Sequence, residues 1–187
     1  MRLLGSGLSE AKHDTEALSV QEAELSMEQR LGATEEDILI VQGNLANTYR
    51  SLGRLEEAIS LRRDVYCGYV RIFDEEYPQA LVVAQMQAST LKSLNRFEVA
   101  KSLLRKMLPV AQRVPGASNA STLNMRWTYA AALYEDTRAT LDDLRKAVST
   151  LEDTERTARR VLGGAHPLAG YIAESLRDAR AALSGAA

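Results

Sequence analysis

Leu52-Gly53-Arg54-Leu55-Glu56-Glu57-Ala58 returns 42 residues later as Leu94-Asn95-Arg96-Phe97-Glu98-Val99-Ala100. The register extends on both sides: Ala46 meets Ala88, Tyr49 meets Leu91, Leu61 meets Leu103 and Val65 meets Met107. A fixed period of this size marks a stacked-repeat array, in which each unit buries its apolar face only against its neighbours. Val41, Leu45, Tyr49 and Leu52 recur at helical spacing, Gly53 stops that helix, and a second is predicted over Leu55 to Ile72. Gly53 and Asn95 stand at equivalent turns, and both residue types tolerate the left-handed backbone found there.

Outward from this unit, residues 1–9 read as a flexible terminus. A helix is predicted over 14–31 with Ala17, Val20, Ala23, Leu25, Met27 and Leu31 on its apolar side, closed by Gly32. Thr34-Glu35-Glu36-Asp37 has the form of a capping box, with acids where the helix dipole favours them. Pro78 suits a first helical position. Leu31, Phe73 and Pro115 end successive units 42 residues apart, but the corresponding Leu162 lies 47 beyond Pro115. About five extra residues are expected near Asp136 to Thr140 or in the helix that follows. Thr140-Leu141-Asp142-Asp143 is a second capping box, opening a helix to about Val161 that Gly163-Gly164 ends. Pro167 starts a last helix with Leu168, Ile172, Leu176, Ala179 and Leu183 on one face and Glu174, Arg177, Asp178 and Arg180 on the other, as a capping helix requires. The reading is about three and a half units over 10–166, a cap over 167–187, and seven or eight helices in all. The array begins mid-unit, which suggests a piece of a longer array or a product trimmed at its N-terminus.

The totals agree. The chain has 187 residues, 45% of them hydrophobic and 26% charged, which fits one globular domain. A net charge of -2 gives no bulk attraction to nucleic acid or anionic lipid. Cys67 is the single cysteine, so no internal disulfide can form. No signal peptide or membrane-spanning run is expected, and a cytoplasmic protein is the default reading.

The segments Asn44-Leu45-Ala46, Tyr49, Leu52 to Ala58 and Phe73-Asp74-Glu75-Glu76-Tyr77-Pro78, with Leu162-Gly163-Gly164-Ala165-His166-Pro167, resemble tetratricopeptide repeats of the 42-residue kinesin-light-chain-like form. The resemblance covers roughly residues 14–167 and fades in the third unit. It implies an all-α superhelical solenoid of antiparallel helix pairs. It also implies an adaptor or scaffold that binds a peptide or partner protein in its inner groove. The coiled coil by which a kinesin light chain joins its motor has no counterpart here. The family places an asparagine before its Leu-Ala pair; Asn44 matches, whereas Met86 and Thr128 stand at the equivalent places.

With Val41, Leu45 and Tyr49 buried, Gly43, Asn47 and Arg50 point the other way, toward the face that lines the family's groove. Projection by the repeat adds Gln85, Ser89 and Lys92, then Trp127, Ala131 and Tyr134. The candidate peptide-binding set is therefore Asn44, Asn47, Arg50, Gln85, Ser89, Lys92, Trp127 and Tyr134. Amides and hydroxyls would bond a peptide backbone, Arg50 and Lys92 a carboxylate, and Trp127 and Tyr134 an apolar or cationic side chain. The competing reading of Trp127 is packing on an adjacent helix.

Other residues carry plainer readings. His166 is expected to close a turn, His13 stands alone, and Cys67 is an inert thiol in mid-helix. Two distant histidines and one cysteine make no structural zinc site. Asp142 and Asp143 serve a cap, Asp74-Glu75-Glu76 is a solvated linker cluster, and Arg156, Arg159 and Arg160 are offset by Glu152, Asp153 and Glu155. No P-loop, nucleophile elbow, zincin or dinucleotide fingerprint is present, so no enzyme and no cofactor are expected. The alternative to a peptide-binding adaptor is a structural piece that stacks on another copy or on a longer array.

Overall fold

The structure, a computed structural model, describes residues 14–186, so the expectation for 1–9 and the isolated His13 lie outside the described residues. The described residues form eight α-helices: α1 (Asp14–Leu31), α2 (Glu35–Ser51), α3 (Leu55–Ile72), α4 (Pro78–Ser93), α5 (Phe97–Ala111), α6 (Ala120–Tyr134), α7 (Leu141–Leu162) and α8 (Pro167–Gly185). They fall into two compact units, divided after Thr90 within α4.

Local chemistry sets the boundaries. Gly53 and Asn95 both take positive φ, +74° and +56°, between the helices of successive pairs. Thr34 accepts a hydrogen bond from the Asp37 N–H and caps α2. Thr140 and Asp143 satisfy each other's backbone N–H groups at the start of α7, a complete capping box. Hydrogen bonds from the Thr140 hydroxyl and N–H hold the Asp143 carboxyl below its ordinary range. Thr140→Ala should therefore lower the unfolding free energy by about 1 kcal/mol, read as a shift of the urea midpoint with unchanged slope. His166 caps α8 through its Nδ1, which accepts from the Leu168 N–H at 3.1 Å, with Pro167 following at the first helical position.

In the first unit α1 packs on α2 and α2 on α3. Leu39, Val65, Tyr69, Ala80 and Val83 form its apolar centre, with Tyr66, Val70 and Tyr77 against it. Gly68 permits a close approach: a Cβ there would stand 2.5 Å from a Leu39 methyl. The Tyr77 ring stacks on Phe73 at 3.9 Å, and its hydroxyl donates to Glu36 at 2.7 Å, joining the start of α4 to the start of α2. The expected face of α1 is corrected. Ala17, Gln21 and Glu24 are its buried residues, whereas Ala23 is exposed and Leu31 is 74% exposed. The helix is rotated so that Gln21 accepts a hydrogen bond from buried Thr48 of α2 at 2.7 Å. A satisfied polar pair outweighs burial of the more apolar side.

In the second unit α5 packs on α6, α6 on α7, and α8 on both α6 and α7. Leu104, Met107, Leu123, Met125, Leu133, Leu151 and Ile172 are its large buried side chains. After α5 the chain makes a single π-helical turn, Gln112–Gly116, containing Pro115. Buried Thr122 donates to the Ala111 carbonyl, at the start of this turn, at 2.9 Å. The extra residues of the third unit are shared between two places. Projected by two periods from α3, α7 would span 139–156; it spans Leu141–Leu162, starting late and ending later still. Within α8, Ala169, Ile172, Ser175, Leu176 and Ala179 are buried, while Arg177, Asp178 and Arg180 lie on its outer side.

Candidate functional site

Four of the eight candidate residues meet in the first unit. Asn47 and Arg50, with Ser51, come from α2; Gln85 and Ser89, with Met86, come from α4. Arg62 of α3 completes the lining of a cavity of about 270 Å³. That space is below the usual 300–1,000 Å³ of a small-molecule site and suits one or two side chains. Asn44 lies outside this lining; its carbonyl accepts from the Thr48 hydroxyl one turn later in α2.

Arg62 is a lining residue that the sequence reading does not single out. It is only 3% exposed. Its guanidinium donates to the Met86 carbonyl at 2.9 Å, to Asn47 Oδ1 at 2.8 Å and to the Thr90 hydroxyl, while its buried Nε has no acceptor. Burial, and then repulsion from Arg50, lower its pKa to about 10, so it stays cationic at neutral pH. The residues lining the pocket thus include two guanidinium groups and no carboxylate. The signal available in the sequence is the repeat itself: the residue one period on is Leu104, fully buried.

The remaining candidates lie in the second unit and have protein partners. Lys92 donates to both carboxylate oxygens of Glu135, at 2.7 and 2.8 Å. Half-buried Trp127 stacks on Tyr171 of α8, ring centroids 5.8 Å apart, and its indole N–H donates to Ser175 at 2.7 Å. The packing alternative for Trp127 is thus what its contacts show. Burial raises the Tyr134 pKa, and a hydrogen bond with the same Ser175 opposes that rise.

Elsewhere Cys67 is exposed on α3, more open than the packed or half-exposed placement expected of an inert mid-helix thiol. Asp142 pairs with Arg145 and Asp143 serves the cap, as their spacing suggests. Among the described residues no cluster of His, Cys, Asp and Glu is placed to hold a metal ion, and no described helix is long and apolar enough to cross a membrane.

Helix pairs joined by three-residue turns at a 42-residue period, with a polar pocket between the first helices of successive pairs, define a tetratricopeptide-type solenoid. Residues 37–113 match the model of the tetratricopeptide repeat family. Solved structures share the fold over nearly the whole chain. The crystal structure of a kinesin-light-chain-like protein of Podospora anserina with nearly identical TPR-like repeats matches at 20% identity and a TM-score of 0.79, over 97% of this chain and 84% of that one. A single-substitution variant of that protein matches with a TM-score of 0.80 at the same identity and coverage. BtubC (BKLC) from P. vanneervenii matches at 18% identity and a TM-score of 0.75, over 99% of this chain and 76% of that one. No curated protein matches the chain by sequence.

Proposed function

We propose that the chain is a non-catalytic binding module that holds a peptide segment of a partner protein, anchored in the pocket of the first unit. The observation that carries this reading is the convergence of Asn47, Arg50, Gln85 and Ser89 around one cavity sized for side chains. Amide and hydroxyl groups at that spacing suit an extended peptide, whose backbone offers donors and acceptors at every residue. Lys92, Trp127 and Tyr134 contribute less in this reading, because each is engaged with Glu135 or Ser175.

Selection from a random peptide display library, on wild type and on an Asn47→Asp/Arg50→Glu variant, tests the proposal. Wild type should enrich a recurring sequence whose affinity falls at least tenfold in the variant, with helix content retained by circular dichroism. The carboxylate introduced at position 47 would lie against Arg62 and occupy the charge that a ligand would otherwise meet. No enrichment, or equal affinity for both proteins, would remove the pocket as the site. Light scattering of the same samples separates the alternative: growth in mass with concentration supports stacking of copies.

A further inference from the structure

We propose that the chain docks on a second copy of itself, with α1 of one copy entering the groove between α7 and α8 of the other to complete a helix pair. The contact uses none of the helices that line the first unit's pocket, so it goes beyond the peptide-binding reading and can fail independently of it.

The repeat register assigns the two helices different kinds. α1 ends at Leu31, one period before Phe73, and so corresponds to α3 and α5, the second helices of their pairs. α8 opens at Pro167, the counterpart of Pro78, and so corresponds to α4 and α6, the first helices. Each presents at its surface a row that its counterparts bury. In α5 the row is Ala100, Leu104, Met107 and Ala111, all fully buried, and the equivalent four residues of α3 are buried too. In α1 it is Glu16, Val20, Ala23 and Met27, of which Glu16 and Ala23 are exposed and the others only half-buried. In α6 the corresponding first-helix row is Leu123, Ala130 and Leu133, all fully buried. In α8 it is Gly170, Arg177 and Arg180, all exposed.

The two open faces are complementary in charge. α1 carries five acidic residues and one basic residue. The groove between α7 and α8, about 550 Å³, sets Arg156, Arg159, Arg177 and Arg180 against Glu152 and Glu155, over Ala173 and Leu176. Paired helices run antiparallel: Asn47 and Tyr49, late in α2, meet Arg62 in the first half of α3 and Arg54 just before it. The same arrangement between copies sets Arg177 and Arg180, the equivalents of Ala46 and Tyr49, beside Glu16, the equivalent of Ala58. Ala46 and Ala58 are fully buried in the complete pair. Where that pair has small apolar residues, the open faces carry opposite charges, flanked by apolar Val20, Ala23 and Met27 on α1. The occupant with this register and this charge is the chain's own first described helix. Each copy offers one face of each kind, so the contact is heterologous.

Sedimentation velocity of the full chain tests the proposal. Wild type should grow in mass with concentration through the micromolar range, and less so at high salt. Ala23→Arg blocks the α1 face, and Arg177→Glu reverses the charge on the α8 face. Both change exposed residues, so helix content by circular dichroism should hold while each variant stays at single-chain mass. Their equimolar mixture keeps one intact face of each kind, on different chains, and should form a two-chain species and nothing larger. Glu16→Arg should weaken association at least tenfold, and adding Arg177→Glu to the same chain should restore most of it. Wild type that keeps single-chain mass throughout would overturn the proposal and leave α8 a solvated cap. Variants that associate like wild type, or a mixture that stays at single-chain mass, would overturn it as well.

Discussion

Asp136→Ala is expected to lower the unfolding free energy by about 3–5 kcal/mol, the usual result of removing one partner from a buried ion pair. Asp136 follows α6 closely, and both it and Lys101 of α5 are nearly inaccessible, with 3.3 Å between Nζ and the carboxylate. Without Asp136, Lys101 keeps only Glu98, whose side chain is exposed. Asp136 also accepts from the Arg138 N–H at 3.0 Å, so the turn into α7 loses its brace at the same time. Lys101→Ile/Asp136→Ala should recover most of the loss, because Ile59 occupies the equivalent position of the preceding repeat. Urea unfolding of both variants at neutral pH checks the pair; a single-variant loss below about 1 kcal/mol would place Asp136 among surface ion pairs.

The pH dependence has a definite sign. Burial alone would raise the Asp136 pKa, but the Arg138 N–H and Lys101 outweigh it and hold the carboxyl below its ordinary range. A carboxyl with a depressed folded-state pKa binds protons more readily when unfolded. Its stabilising contribution is therefore complete above the ordinary aspartate value and is lost as pH falls through the lower folded value. The gap between wild type and Asp136→Asn should be widest near neutrality and close in acid below that window.

Trp127→Ala is expected to remove about 3 kcal/mol, toward the lower end for a large aromatic because the ring is half-buried. The loss has two sources: the stack on Tyr171, and the indole hydrogen bond to Ser175, which is left buried with fewer partners. Both lie on α8, so the last helix should loosen first, seen as faster amide exchange over 167–185 than in the rest of the second unit. Trp127→Phe keeps a stacking ring and should lose about 1 kcal/mol, the share of the hydrogen bond. Because Trp127 is the sole tryptophan, far-ultraviolet circular dichroism must follow these transitions instead of fluorescence. A loss within about 0.5 kcal/mol would show that Ile172, Leu176 and Ala179 hold α8 unaided.

What can be read in advance divides by the range of the interaction. Turns and caps are legible because their physics is confined to a few neighbouring residues. Gly53 and Asn95 announce left-handed turns, Thr34 and Thr140 announce helix starts, and Pro78 and Pro167 mark first helical positions. The buried face of α1 is not legible, because its decisive bond, Thr48 to Gln21, joins residues 27 apart. Periodicity weighs apolar residues and is blind to a polar group that will be satisfied on burial. Arg62 escapes for the same reason: a charged residue in an amphipathic helix reads as solvated. Asn47, Arg50, Gln85 and Ser89 come together at one cavity because the repeat maps first-helix positions onto one another, and these four share one unit. Trp127 sits at an equivalent first-helix position, yet the last helix gives it a partner that projection does not supply.

The two interior cations also bear on the order in which the chain can assemble. Chains of similar repeats risk pairing a helix with the wrong copy of its neighbour, since each copy offers nearly the same apolar face. Lys101 finds its buried carboxylate at Asp136, and the equivalent places one and two periods earlier are Leu94 and Leu52. Arg62 finds its acceptors on α2 and α4 together. A helix docked one repeat out of place would bury a charge against leucine, so similar blocks are made distinguishable and their sequence along the chain becomes part of the fold.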